Sequence, residues 1–146
     1  MPEENVRIVR DCLQAYADGG LDAMAAYWDE DVSWRAIEGA PDDVGEMQGP
    51  ERLRRYFQEW VDMFEGITNV PEELTDLGDD RVLAVQRAAG RAKLSGAETE
   101  IRFAVVYTVR DGKIVGGREY LDRGEALKAL SAEGGVRPRT QNLRHW

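Results

Sequence analysis

The sequence predicts a single α+β domain in which a cone-shaped, curved antiparallel sheet carries helices on its concave face and encloses a pocket. Three observations lead there. The chain has 146 residues, the length of one domain, and a domain near 150 residues buries about 70% of the surface its unfolded chain exposes. Apolar residues recur at helical spacing through most of the first half. From about Ile67 the period changes to two, and short turns punctuate it, as in a meander of antiparallel strands. Helices ahead of such a meander must pack on it as a second layer. Long antiparallel strands twist and curl, so large side chains fill the narrow end of the cone and a cavity remains at the wide one.

The elements follow in order. Pro2, Glu3 and Glu4 suit a first helical turn, and Val6, Val9, Leu13 and Tyr16 form a helical stripe that Asp18-Gly19-Gly20 stops. A short second helix carries Leu21, Met24, Ala25 and Trp28 on one face. Asp29-Glu30-Asp31 turns the chain into a short strand, Val32 to Ile37. Glu38 to Gly49, with Gly39, Pro41, Gly45 and Gly49, reads as a mobile loop at the pocket mouth. A third helix runs from about Pro50 to Phe64 with Leu53, Phe57, Trp60, Val61 and Phe64 in a broad apolar stripe. Strands are expected at Ile67–Leu77, Arg81–Leu94, Glu98–Arg110 and Lys113–Leu121, joined by Gly78-Asp79-Asp80, Ser95-Gly96-Ala97 and Asp111-Gly112. Pro71 has no N–H for a ladder, which places it at an edge or a bulge. Asp122 caps a last helix, with Glu125 three residues on. The domain is expected over residues 1–130, with 131–146 a mobile or surface-packed tail.

Composition excludes several classes. The formal net charge is −9, which repels nucleic-acid phosphates and anionic membranes alike. No apolar run approaches the ~20 residues of a membrane span. The acidic start lacks the basic and apolar segments of a signal peptide, and a single cysteine, Cys12, allows no intrachain disulfide. Both features point to a cytoplasmic protein. Cys12 lies in a helical pattern and reads as a buried structural thiol. Asp29, Glu30, Asp31, Glu38, Asp42, Asp43 and Glu46 crowd one stretch, whereas Arg137, Arg139 and Arg144 make the tail basic. Both read as solvated surface, with a tail folded onto the acidic loop as the alternative. His145, the only histidine, reads as exposed and inert.

The order of motifs resembles the SnoaL-like branch of the nuclear transport factor 2-like superfamily over about residues 4–130. The resemblance is carried by Ala15-Tyr16-Ala17 before Gly20-Leu21-Asp22-Ala23, by Asp31-Val32-Ser33-Trp34, and by Gly49-Pro50-Glu51-Arg52-Leu53-Arg54. Asp111-Gly112-Lys113-Ile114-Val115 running into Arg118-Glu119-Tyr120-Leu121-Asp122 carries it most strongly. That family includes cyclases, isomerases, hydrolases, dehydratases and non-catalytic binding domains, so fold alone does not decide function.

Phasing the strands by this resemblance implies that Gly117, Glu119 and Leu121 face inward, as do Ile101, Phe103, Val105 and Tyr107, and Val85, Arg87, Ala89 and Arg91. Trp34 and Ala36 would join them from the short strand. Tyr16, Trp28, Tyr56, Trp60 and Phe64 would close the cavity from the helices. The implied site is an aromatic cavity for an apolar small molecule, needing no cofactor or metal. Glu119 would be its acid or base, and Arg87 the electrostatic partner that holds it. A structural ion pair between the two is the alternative.

The resemblance also discriminates among chemistries. Against the epoxide hydrolases, Arg87 matches the arginine and Glu119 one acid. Ala89, Trp34 and Ala36 stand where the second acid, a tyrosine and an asparagine should be, so that water-activating set is incomplete. Against the ketosteroid isomerases, Ala36 stands at the base, and Val105 and Cys12 at the oxyanion-binding positions. Cyclase-type chemistry, which can run on one acid/base residue, is the remaining enzyme expectation, and a small-molecule-binding domain is the alternative. The opposite sheet face, carrying Val82, Ala84, Ala88, Gly90, Ala104, Val106 and Thr108, looks small and apolar. It is expected to be covered in a homodimer.

Overall fold

A computed structural model describes residues 2–39 and 45–133. Three helices and six strands follow in the order α1 (Pro2–Ala25), β1 (Trp28–Arg35), β2 (Glu46–Gln48), α2 (Pro50–Asp62), β3 (Phe64–Gly78), β4 (Arg81–Ala92), β5 (Glu98–Arg110), β6 (Lys113–Tyr120) and α3 (Arg123–Ala132). One sheet in the order β2-β1-β6-β5-β4-β3 contains all the strands. It is curved, open and mixed. The β3–β4–β5–β6 meander is antiparallel as expected, but β1 pairs parallel with β6.

Local sequence explains most boundaries. The two expected N-terminal helices form one element, α1, broken at Gly20, where φ 80° and ψ −166° lie outside the helical region. A left-handed φ of this kind costs glycine nothing and strains any residue with a Cβ. Trp28 therefore opens β1 rather than closing a helix. Asp79, Asp80 and Asp111 take positive φ in the hairpin turns, a conformation short polar side chains tolerate. Pro71 sits on the edge strand β3, beside a shift in register between Pro71 and Glu73. The Asp122 carboxylate accepts the Glu125 N–H at 2.8 Å, capping α3. Part of the expected Glu38–Gly49 loop is strand β2, paired with β1. Its centre, residues 40–44, and the tail, residues 134–146 with His145, lie outside the described residues.

Helices α1 and α2 pack on the concave face around a core that includes Val9, Leu13, Val32, Leu53, Val105 and Ile114. Helix α3 lies on the other face, where Ala126 and Leu130 pack against Leu83, Ala104 and Val106 in a second core. Helices α1 and α2 thus lie on the concave side as expected, and α3 alone does not. The structure also removes the basis given above for a homodimer. Val82 and Ala84 belong to the concave core, Ala88 lines the cavity, and Ala104 and Val106 are covered by α3.

Candidate functional site

The cone encloses a cavity of about 130 Å³. Tyr16 and Met24 of α1, Trp28 and Trp34 of β1, Phe57 and Trp60 of α2, and Phe103, Val105 and Tyr107 of β5 contribute to its wall. The strands alternate sides, so residues paired directly across β4 and β5 share a face. Gln86 pairs with Phe103, Ala84 with Val105 and Val82 with Tyr107. With the odd-numbered residues of β5 turned inward, β4 must present its even-numbered ones.

That register corrects the phase expected for β4. Arg87 faces outward, where its guanidinium lies 3.1 Å from Glu100 and 3.6 Å from Glu72. Arg91 also lies outside, bonded to Glu98 at 2.9 Å and to the Gly96 carbonyl. Val85 and Ala89 share that outer face by the same alternation. The partial match of Arg87 to the epoxide-hydrolase arginine falls with it. Leu121, expected inside, lies past the end of β6 and is 64% exposed. Two further residues stand behind the wall. Phe64 opens β3 and stacks on Trp60 with ring centroids 6.2 Å apart, and Tyr56 reaches the site through its hydroxyl.

Glu119 projects from β6 onto the cavity wall and is 9% exposed. Trp34 Nε1 donates to its Oε2 at 2.8 Å. The Tyr56 hydroxyl donates to Oε1 at 3.0 Å, with Oε2 at 3.3 Å. These two donors are neutral and come from other elements, β1 and α2, so three parts of the fold meet at the carboxyl. The indole is held in turn by edge-on contacts with Phe57 and Tyr107, at 5.4 and 5.6 Å between ring centroids. It also lies over Gly117, whose lack of a Cβ makes the approach possible.

In a second polar group Tyr107 was expected to face inward, but its partners Gln86 and Asn69 were missed by the sequence reading. Tyr107 O–H donates to Gln86 Oε1 at 2.8 Å, and Gln86 Nε2 donates to Asn69 Oδ1 at 3.0 Å. All three residues line the cavity. Burial pushes the Tyr107 pKa well above its ordinary value, with Cys12 and Glu119 adding to the rise and the bond to Gln86 opposing it. Cys12 also lines the cavity. Burial raises its thiol to about 12, which keeps it protonated and unreactive at neutral pH. Tyr16 donates to the Ile67 carbonyl at 3.1 Å, and burial raises its pKa. Among the described residues no group of three or more His, Cys, Asp or Glu is placed to hold a metal ion. No helix there is long and apolar enough to cross a membrane.

An open curved sheet wrapped around helices, with a carboxyl and an amide chain on the wall of an aromatic cavity, defines a cone-shaped pocket protein of the nuclear transport factor 2-like type. The family model for the SnoaL-like domain matches residues 9–117, and the chain belongs to that family. Solved structures agree on the fold. An NTF2-like protein from Burkholderia thailandensis E264 is 27% identical, with a TM-score of 0.70 over 86% of this chain and 96% of that one. Another, from Burkholderia xenovorans LB400, is 29% identical, with a TM-score of 0.65 over 88% and 97%. TerC, co-crystallised with polyporic acid, is 21% identical, with a TM-score of 0.69 over 87% and 97%. No curated protein matches the sequence.

Proposed function

We propose that this protein acts on a small, largely apolar molecule by acid–base catalysis of the isomerase, cyclase or lyase kind, with Glu119 moving the proton. One observation carries the reading. A carboxyl with 9% exposure stands on the wall of an aromatic cavity, oriented by hydrogen bonds from the neutral donors Trp34 and Tyr56. A carboxyl placed against apolar space can meet a ligand C–H or O–H directly, and the low-dielectric surroundings amplify the field it exerts there. Its setting differs from the expected pair with Arg87, which is committed to glutamates on the outer face.

Proton transfer can be tested with a simple ketone. Acetophenone incubated with the protein in D2O should exchange its methyl hydrogens for deuterium faster than in buffer. Glu119 would take the proton to leave an enolate, and solvent-derived deuterium would return to the carbon. Glu119→Gln should abolish the acceleration while ligand binding persists. Exchange at the same rate in parent and variant would refute the role of Glu119. Binding without any exchange in the parent would favour the second reading, a domain that holds a ligand without turning it over, which the same enclosed apolar cavity would also serve.

A further inference from the structure

The chain Tyr107–Gln86–Asn69 has a direction. The phenol O–H donates a hydrogen bond to the Gln86 carbonyl oxygen, and one of the two Gln86 amide N–H groups donates to the Asn69 carbonyl oxygen. Each amide oxygen thereby already accepts one hydrogen bond from within the chain. The remaining N–H groups, one on Gln86 Nε2 and two on Asn69 Nδ2, are donors. Gln86 is 2% exposed and lines the cavity. A buried polar side chain within a polar chain is costly unless its groups find partners, and the ligand space is where a partner for these donors can sit. The register supports the placement. Asn69 pairs with Ala88 and Gln86 with Phe103, so both amides occupy the inward rows of β3 and β4.

We propose that Gln86 and Asn69 form a donor pole that selects a monocyclic ligand carrying a neutral carbonyl. Size sets the ring count. A cavity of about 130 Å³ is close to the ~150 Å³ engineered cavity that accommodates benzene. Charge sets the neutrality, because Glu119 on the same wall disfavours a ligand carboxylate. The carbonyl follows from the donors, which need an acceptor. This proposal deepens the reading of the cavity as the ligand site and assigns the residues that determine specificity within it. It does not depend on Glu119 moving a proton.

The test uses an isosteric pair, acetophenone and α-methylstyrene, in which C=O is replaced by C=CH2. Binding is measured by titration calorimetry for the parent, Asn69→Leu, Gln86→Met and Glu119→Gln. Asn69→Leu should weaken acetophenone by about 3–10-fold, the scale of one hydrogen bond, and leave α-methylstyrene unchanged or tighter. Gln86→Met should act in the same sense. The carbonyl stretch of bound acetophenone should lie below its frequency in hexane and move back toward it in Asn69→Leu. Benzoate should bind more weakly than acetophenone. Glu119→Gln should keep the discrimination even though it loses proton exchange, so failure of either reading is seen separately. Should Gln86→Met not fold, Asn69→Leu, at a half-buried position, decides alone. Equal weakening of both isosteres, an unshifted carbonyl band, or no binding of acetophenone at millimolar concentration would overturn the proposal.

Discussion

Gly117→Ala is the most informative single perturbation of the site. An added Cβ would overlap Trp34 Cζ3 and Cε3 and lie 2.6 Å from Cη2. The indole has little room to yield, because its edge-on neighbours are Phe57 and Tyr107 and its Nε1 is bonded to Glu119. Overpacking of this kind costs about 1–3 kcal/mol. If the ring swings away, the lost hydrogen bond to the buried carboxyl adds about 1–3 kcal/mol. The combined cost of about 2–6 kcal/mol corresponds to a drop in Tm of about 4–24 °C for a chain of this size. Thermal and urea denaturation measure the loss, and tryptophan fluorescence reports the displaced ring. Trp34→Phe removes the atoms that clash. In that background the alanine should cost under about 1 kcal/mol, a coupling that a double-mutant cycle resolves. A Gly117→Ala protein within about 1 kcal/mol of the parent, with unchanged emission, would refute this packing.

Three other outcomes are expected. Glu119→Gln should lower stability by less than about 1–2 kcal/mol while ending proton exchange, because the amide keeps the shape and the Tyr56 hydroxyl can turn to suit it; a larger drop in Tm would make the residue structural. Arg87→Ala should change stability by under about 1 kcal/mol, since its partners Glu72 and Glu100 are part-exposed and pairs of that kind contribute little; a loss of several kcal/mol would place the guanidinium inside after all. For Cys12 the folded pKa of about 12 exceeds the ordinary 9.0, so ionisation favours the unfolded chain. Its contribution is intact below pH 9 and is lost as pH rises toward 12, at up to ~1.4 kcal/mol per pH unit. Urea denaturation from pH 8 to 11 should show a flatter decline for Cys12→Ala than for the parent.

What was legible in the sequence was what local chemistry encodes. The Asp-rich turns, the period-two runs, Pro71 at an edge and the Asp122 cap all depend on neighbours in the chain, and each lies close to where it was expected. For strand β5 the phase implied by the family resemblance was right, and it agrees with the alternation of Ile101, Phe103, Val105 and Tyr107 with polar residues over part of its length. Strand β4 shows no such alternation, because small and apolar side chains occur in both of its rows. Two arginines alternating with small residues were a sign of an outward row, and the β4–β5 hairpin, which pairs odd numbers with even ones, makes that sign decisive. The donors to Glu119 were out of reach for another reason. Trp34 and Tyr56 stand 85 and 63 residues from it, and the parallel pairing of β1 with β6 that brings Trp34 near has no local signature.

The long border strand β3 has a consequence for how copies of the protein can meet. Sheets usually grow by hydrogen bonding a new strand to an open edge. Along this edge Pro71 offers no N–H, the register shifts three times, and Glu65 and Asp76 carry negative charge in a chain whose net charge is −9. A second copy approaching edge to edge would face broken hydrogen-bond spacing and like charge together. The far border, β2, is three residues long and gives little purchase. Fibril-like growth of the sheet is thus discouraged at both ends, and any assembly of this protein is steered toward face-to-face contact.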